Sequence, residues 1–382
     1  MNLVTPDLPL AVRDLLALHL TPGLGPIRIA ALIEHFGSAA AARAASASAL
    51  QTVPGIGSQL SAQLAQQLPN VDVDTEIARA ARAGASILAL GTPDYPPHLA
   101  TIPAAPPILY ALGGLTARDE RGVALVGTRN PNAYGKRVAK QLAEGLVRAG
   151  VTVVSGMARG VDGIAHRAAI DAGGRTVAVL GSGLSRLYPP EHAALAEAIA
   201  KAGAVVSECF MEEGPSKGSF PARNRIISGL SRVIVIVQAP SQSGALITAT
   251  HAAEQGKTVL AVPGPIDDDA QAGCLHLLRQ GAVLCRGVDD ILEELDGVSA
   301  QAVASVQRTL FDAPEPTRVV GPPPGLDAVQ MRVWDFLADG ARSVDEVARH
   351  VAMAIQALSG VLMMMEMNRA VRRLPGNRYE RA

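Results

Sequence analysis

The stretch "KGSFPARNRIISGLSRVIVIV" (217–237) gathers Lys217, Arg223 and Arg225 around Phe220 and Asn224, and no acidic residue occurs from Gly214 to Ala253. Cations beside an aromatic ring are the ingredients of a single-stranded nucleic-acid grip. Phosphates meet the charge and a base stacks on the ring, at ~1–3 kcal/mol per base. Three uncompensated cations cannot enter an apolar core, so this reading requires a loop that faces solvent or a polyanion, just before a buried strand. The competing reading makes Phe220 a core plug and pairs Arg223 and Arg225 with Glu208, Glu212 or Asp162. Spacing alone leaves both open.

Two other segments carry similar chemistry. "GTRNPNAYGKR" (127–137) follows one apolar run and opens a helix, so its backbone amides and Arg129 would meet an anion at a helix N-terminus. "SGMARGVDGIAH" (155–166) does the same after the next run. Asp162 reads as a local cap or loop-holding residue. Asp162 and His166 stand at i, i+4, half of a metal site with no further ligand in view, and no metal is expected. Other motifs fail. "GKT" (256–258) has His251 where a P-loop needs its first Gly, and it lies between a helix and a following strand. "GSGLSR" (181–186) ends in Arg186 where a dinucleotide fingerprint has Gly. No GxSxG elbow or HExxH occurs. Cys209, Cys274 and Cys285 have neither CxxC spacing nor a His ladder, so they read as inert thiols.

These segments need a scaffold. Residues 122–127, 151–156, 175–181, 204–208, 231–239 and 257–264 are short apolar runs with helical spacing between them, and "GAVLCR" (281–286) offers another strand. Continuous apolar strands alternating with helices predict a mostly parallel sheet covered on both faces, a Rossmann-like doubly wound α/β fold, with ligands at the carboxyl ends of the strands. A chain of 382 residues is long for one core. Domains are expected at 1–83 (helical), 84–296 (extended Rossmann-like) and 325–382, with a Pro-rich linker over 297–324. "TPGLG" (21–25) and "VPGIG" (53–57) each precede an amphipathic helix, as in SAM-like or helix-hairpin-helix units that grip phosphate or contact protein. The second helix lacks Lys and Arg from Val53 to Leu68, and both uses stay open. The tail reads as three helices and a basic strand-turn-strand, a winged helix. Its third helix carries Met363, Met364, Met365 and Met367, which favours packing or partner contact over DNA reading. Arg372, Arg373, Arg378 and Arg381 keep a phosphate contact open on the wing. A net charge of −1 excludes a protein coated in basic residues but not a local basic groove. The amino-terminal residues do not read as a signal peptide and no run of apolar residues is long enough to span a membrane, so a cytoplasmic protein is expected.

The ordered run "GTRNPNAYG … VVSGMARGVDGIAH … SECFMEEGPSKGSFPARNRIISGLSRVIVIVQAP … GKTVLAVPG", covering about 121–290, resembles the DNA-processing protein A family, also called DprA or Smf. The resemblance implies a non-enzymatic recombination mediator of natural transformation. Such proteins bind and protect incoming single-stranded DNA, displace single-strand-binding protein, load RecA, form homodimers through the Rossmann-like domain and need no nucleotide cofactor. It also implies site residues: Arg129 of the "GTR" loop, Lys217 and Phe220 of "KGSF", and Arg223, Asn224 and Arg225 of "FPxRNR". Gly127 and Thr128 would offer backbone amides to phosphate, and Arg175 stands where relatives carry a basic residue. Gln238 replaces the family's acidic residue and His192 its Asn in YPxxN, which bears on loop architecture. The rival class is a nucleotide-processing enzyme of the phosphoribohydrolase-like Rossmann group. It would need a GGxGT loop, absent from "SQSGALITATHAAEQG" (241–256), and Glu254 lies too far along to serve as its acid.

Overall fold

The protein is described from a computed structural model covering residues 8–216, 218–297, 326–338, 340–368, 370–374 and 378–381. Lys217 and all of the expected linker except Gly297 therefore lie outside the described residues. The chain divides into two units, 1–304 and 305–382.

The apolar runs become the strands of one nine-stranded sheet: β1 (Ser86–Ala89), β2 (Ile108–Gly113), β3 (Gly122–Val126), β4 (Thr152–Ser155), β5 (Thr176–Leu180), β6 (Ala204–Ser207), β7 (Val233–Ile236), β8 (Thr258–Ala261) and β9 (Val283–Leu284). Their order is β1-β2-β6-β5-β4-β3-β7-β8-β9. β6 through β9 run parallel in that order, and β1 and β2 add an antiparallel edge. Alternate residues face opposite sides, as the pleat demands. Val123 and Leu125 of β3 join one core with helices Ala133–Arg148 and Val161–Asp171, while Ala124 and Val126 join another with helices Ser219–Gly229 and Ala245–Glu254. Both faces are buried, which is why these strands read as unbroken apolar runs.

The chain winds β3-β4-β5-β6 in one direction, then returns to pair β7 with the other side of β3. β3 and β7 therefore flank the topological switch point, where loops leave the strands in opposite directions and open a crevice.

The amino-terminal helices share a core with the sheet. Leu16, Ile29, Leu64 and Ile77 belong to one cluster with Tyr110 of β2, Leu180 of β5 and Val205 of β6. His19 bonds the Glu208 carbonyl at 2.9 Å, and the buried Glu76 accepts from the Met211 amide at 2.7 Å. The paired "PGxG" turns are structural equivalents. Gly23 and Gly55 have φ of +85° and +80°, and Gly25 and Gly57 cap the following helices. Arg28 donates to the carbonyls of Gly23 (2.7 Å) and Gly55 (3.2 Å), tying the two turns together.

In the second unit, helices Ala328–Phe336, Val344–Val351 and Ile355–Met367 pack with a three-stranded sheet of Arg342–Ser343, Arg378–Arg381 and Val371–Leu374, in that order. Capping boxes at Asp327/Gln330 and Ser343/Glu346 start the first two helices. Met365 is fully buried, whereas Met363 and Met364 are exposed. Three of the four wing cations are engaged within the unit, and the Arg373 side chain lies outside the described residues. Arg372 pairs with Glu380, Arg378 donates to Ala341 O at 2.8 Å, and Arg381 donates to Trp334 O and lies over the Trp334 ring. No single helix among the described residues is long and apolar enough to cross a membrane.

Candidate nucleic-acid interface

A cleft of about 510 Å³ opens at the carboxyl ends of β3 and β7. The loop after β3 supplies Gly127, Thr128 and Arg129, helix Ser219–Gly229 supplies Phe220, Arg223 and Asn224, and the loop after β7 supplies Ser243 and Gly244. Helices Val161–Asp171, Ser219–Gly229 and Ala245–Glu254 all begin here. Their dipoles make this edge of the sheet favourable for negative charge.

The loops are held by one another. The Thr128 amide donates to Gln238 O at 2.7 Å, Val161 N donates to Thr128 O, and the Asn132 amide donates to Gln238 Oε1 at 3.0 Å. Asn132 then caps its helix by accepting from Gly135 N. Gly160, at φ +78°, backs directly onto Thr128 and Arg129, and a Cβ there would collide with the Thr128 carbonyl. Gln238 and His192, the two departures from the family pattern, both serve this architecture. Gln238 zips two loops together, and His192 Nδ1 bonds Met157 O at 3.0 Å while its ring packs on Gly163. The expectation that Thr128 presents a free amide to phosphate is corrected, because Gln238 already holds that amide.

Arg129 is exposed, and among the described residues it has no carboxylate partner. Its guanidinium lies 5.4 Å from the centroid of the half-buried Phe220 ring. Tyr188 neighbours Phe220, with ring centroids 5.6 Å apart, and Arg159 lies 5.6 Å from the Tyr188 centroid. Arg129, Phe220, Tyr188 and Arg159 thus form a pair of neighbouring rings, each with a cation against it, along the strand ends. Glu191 pairs with Arg159 at 2.6 Å and orients it. Sequence reasoning missed Tyr188 and Arg159. The signal was an aromatic beside Pro in the loop after β5 and an Arg in the loop after β4.

Arg223 and Arg225 are corrected. Both are buried, at 7% and 8% exposure, on a helix that already starts at Ser219. Arg225 Nη2 donates to both carboxylate oxygens of Glu208, at 2.7 and 2.8 Å, while Nε donates to Ala104 O. Arg223 donates to the carbonyls of Gly156 and Val179 and lies 4.0 Å from the buried Asp162. A guanidinium enters a core when carbonyls and a carboxylate absorb its fork of N–H donors. Burial lowers the Arg223 pKa to about 10, so it stays charged at neutral pH. Burial pushes Asp162 upward against the pull of Arg223. Asn224 Oδ1 accepts from Arg223 Nε, and its Nδ2 donates to Gly244 O at 3.3 Å, joining the helix to the loop after β7. Only a slim part of the Arg223 side chain reaches the cleft, so its role here is to fix the floor.

Arg175 is corrected as well. It precedes Thr176, the first residue of β5, and so sits at the amino edge of the sheet, opposite the cleft. There it grips Asp119 at 2.6 and 2.7 Å and caps the Gly114 carbonyl. Glu254 is exposed near His251 at the far end of its helix and does not line the cleft, and Asp162 is the carboxylate that does among the described residues.

Behind the floor, His166 is fully buried with Nδ1 on Thr176 Oγ1 at 2.7 Å. Burial, with Arg223 and His192 nearby, holds its pKa down at about 3 against 6.5. Folded His166 is therefore neutral where an unfolded chain takes up a proton, so its stability contribution is complete above pH 6.5 and is lost as pH falls toward 3. The full loss is on the order of 5 kcal/mol, of which about 3 kcal/mol falls between neutral pH and about pH 4. Denaturant titrations at neutral pH and at about pH 4 should show it, and His166→Gln should lose distinctly less stability between them. An equal loss in both proteins would remove His166 as the cause.

The DNA recombination-mediator protein A model matches residues 86–296, and the DprA winged helix model matches 315–377. The chain belongs to the DprA/Smf family. Protein Smf of Synechocystis is 34% identical over 94% of this chain and 96% of its own length. DNA processing protein DprA of Bacillus subtilis is 43% identical over 56% of this chain and 72% of its own. The X-ray structure of DprA from Streptococcus pneumoniae superposes with a TM-score of 0.66 at 32% identity, covering 74% of this chain and 97% of that one. DprA from Helicobacter pylori, whose structure is described by its single-stranded DNA binding mode, matches with a TM-score of 0.50 at 29% identity over 57% of this chain and 96% of that one. The mostly parallel α/β sheet, the helical amino-terminal region and the winged helix are the DprA architecture.

Proposed function

We propose that the cleft at the carboxyl ends of β3 and β7 binds single-stranded DNA, with a base stacked against Phe220 and phosphates met by Arg129 and Lys217. The observation that carries this reading is the Arg129–Phe220–Tyr188–Arg159 cluster at the switch point, where three helix N-termini converge. Positive charge beside flat rings suits a flexible strand with exposed bases. A ring and cations read no base edge, so sequence preference is slight. In this reading the chain is a non-enzymatic mediator that works in the cytoplasm as a homodimer joined through the α/β unit. It protects incoming DNA in natural transformation, displaces single-strand-binding protein and loads RecA. Membership of the DprA/Smf family supports that role.

A blunt duplex should bind more weakly than a single strand of the same length, because its bases are already stacked and cannot reach Phe220. Competition of the two against a labelled oligo-dT reads this directly, and equal affinity would move the site away from the rings. Loading is tested separately. The protein should accelerate RecA filament assembly on DNA already covered by single-strand-binding protein, and no acceleration would remove the loading role while leaving DNA binding intact.

A further inference from the structure

A second groove adjoins the cleft on the other side of Arg129, with a volume of about 590 Å³. Helix Ala133–Arg148 contributes Lys136 and Lys140, helix Val161–Asp171 contributes Arg167 and Asp171, and Arg129 lines both the groove and the cleft. Four cations thus face one carboxylate in a chain whose net charge is −1. The side chains of Lys136 and Arg167 are exposed and form no ion pair or hydrogen bond among the described residues, and Lys140 reaches only Glu144, at 3.7 Å. Lys136 and Lys140 stand at i, i+4 on one helix face, where like charges repel. A polyanion along the groove would relieve that repulsion. Among the described residues no Phe, Tyr or Trp lines it, so they offer charge without stacking.

The geometry points to this groove as a second track for the same DNA strand, holding phosphates that leave the Phe220 cleft past Arg129; this rests on the reading of the cleft as a single-strand site. The cleft grips base and backbone, whereas the groove grips backbone alone. Affinity then grows with strand length beyond what the cleft can hold, and that increment is electrostatic.

The test uses the full chain, an oligo-dT of about 6 nucleotides and one of about 20, each titrated over a range of salt. Lys136→Ala/Arg167→Ala should bind the short oligomer like wild type. For the long one, its slope of log K against log salt should shrink by about 1.4, two single-strand phosphate contacts. Asp171→Asn should tighten the long oligomer alone. All three positions are exposed, and unchanged thermal melts would show intact folding. A long-oligomer slope equal to that of wild type would overturn the track and leave the groove to an acidic protein surface. Failure of wild type to bind either oligomer would overturn the cleft reading and this inference together.

Discussion

Replacing Arg223 with Ala should destabilise the α/β unit by about 3–5 kcal/mol, the cost of removing one partner from a buried ion pair. Asp162, at 3% exposure, would lose the cation that offsets its burial and would be left as an unpaired carboxylate or driven to take up a proton, and its Oδ1 has no hydrogen-bond partner even now. The carbonyls of Gly156 and Val179 would lose their donor too. Asp162→Asn in the same background should recover part of the loss, because it removes the carboxylate that Arg223 compensates. Urea unfolding at neutral pH measures all three proteins. A loss below about 1 kcal/mol for Arg223→Ala would mean that the arginine is not a structural brace. The prediction separates two explanations of weakened DNA binding in such a variant. A brace lowers binding by loosening the cleft floor and with it the stability, whereas a surface contact lowers binding alone.

Phe220→Ala should weaken oligo-dT binding by about 1–3 kcal/mol, roughly 5- to 150-fold, with the salt slope unchanged. The ring supplies stacking and no charge, so its loss lowers affinity equally at every salt concentration. Phe220→Trp keeps a π-face and should retain most of the affinity. Tyr188→Ala removes the neighbouring ring 5.6 Å away and should weaken binding in the same salt-independent manner. Isotherms at two salt concentrations read both quantities. Unchanged affinity in Phe220→Ala would exclude the ring as a base platform.

The scaffold was legible because strands buried on both faces leave unbroken apolar runs, and "GVALVG" and "SRVIVIV" could be little else between helices. The position of Arg129 followed from the same rule, since it comes directly after a strand. Applied to Arg175, that rule gives the opposite answer. A residue just before β5 lies at the amino edge, and the resemblance to relatives obscured what strand direction already implied. Arg223 and Arg225 misled for a different reason. Their partners Asp162 and Glu208 come from other loops, and nothing in the local spacing says that a helix starting at Ser219 carries both arginines inward. The alternative that paired them with carboxylates describes their surroundings correctly. The Thr128 amide is a similar case, because its acceptor Gln238 arrives from the far side of the switch point. Contacts between loops distant in sequence are what a single chain conceals.

The central claim is that single-stranded DNA lies in the cleft between β3 and β7. Its most direct test is fluorescence anisotropy of a labelled oligo-dT with wild type and Arg129→Ala/Phe220→Ala, at low and at near-physiological salt. The account predicts salt-sensitive binding by wild type, a loss of at least about 10-fold in the variant, and a shallower salt slope from the missing arginine. Wild-type affinity in the double variant would contradict it and assign the DNA to another surface of the chain.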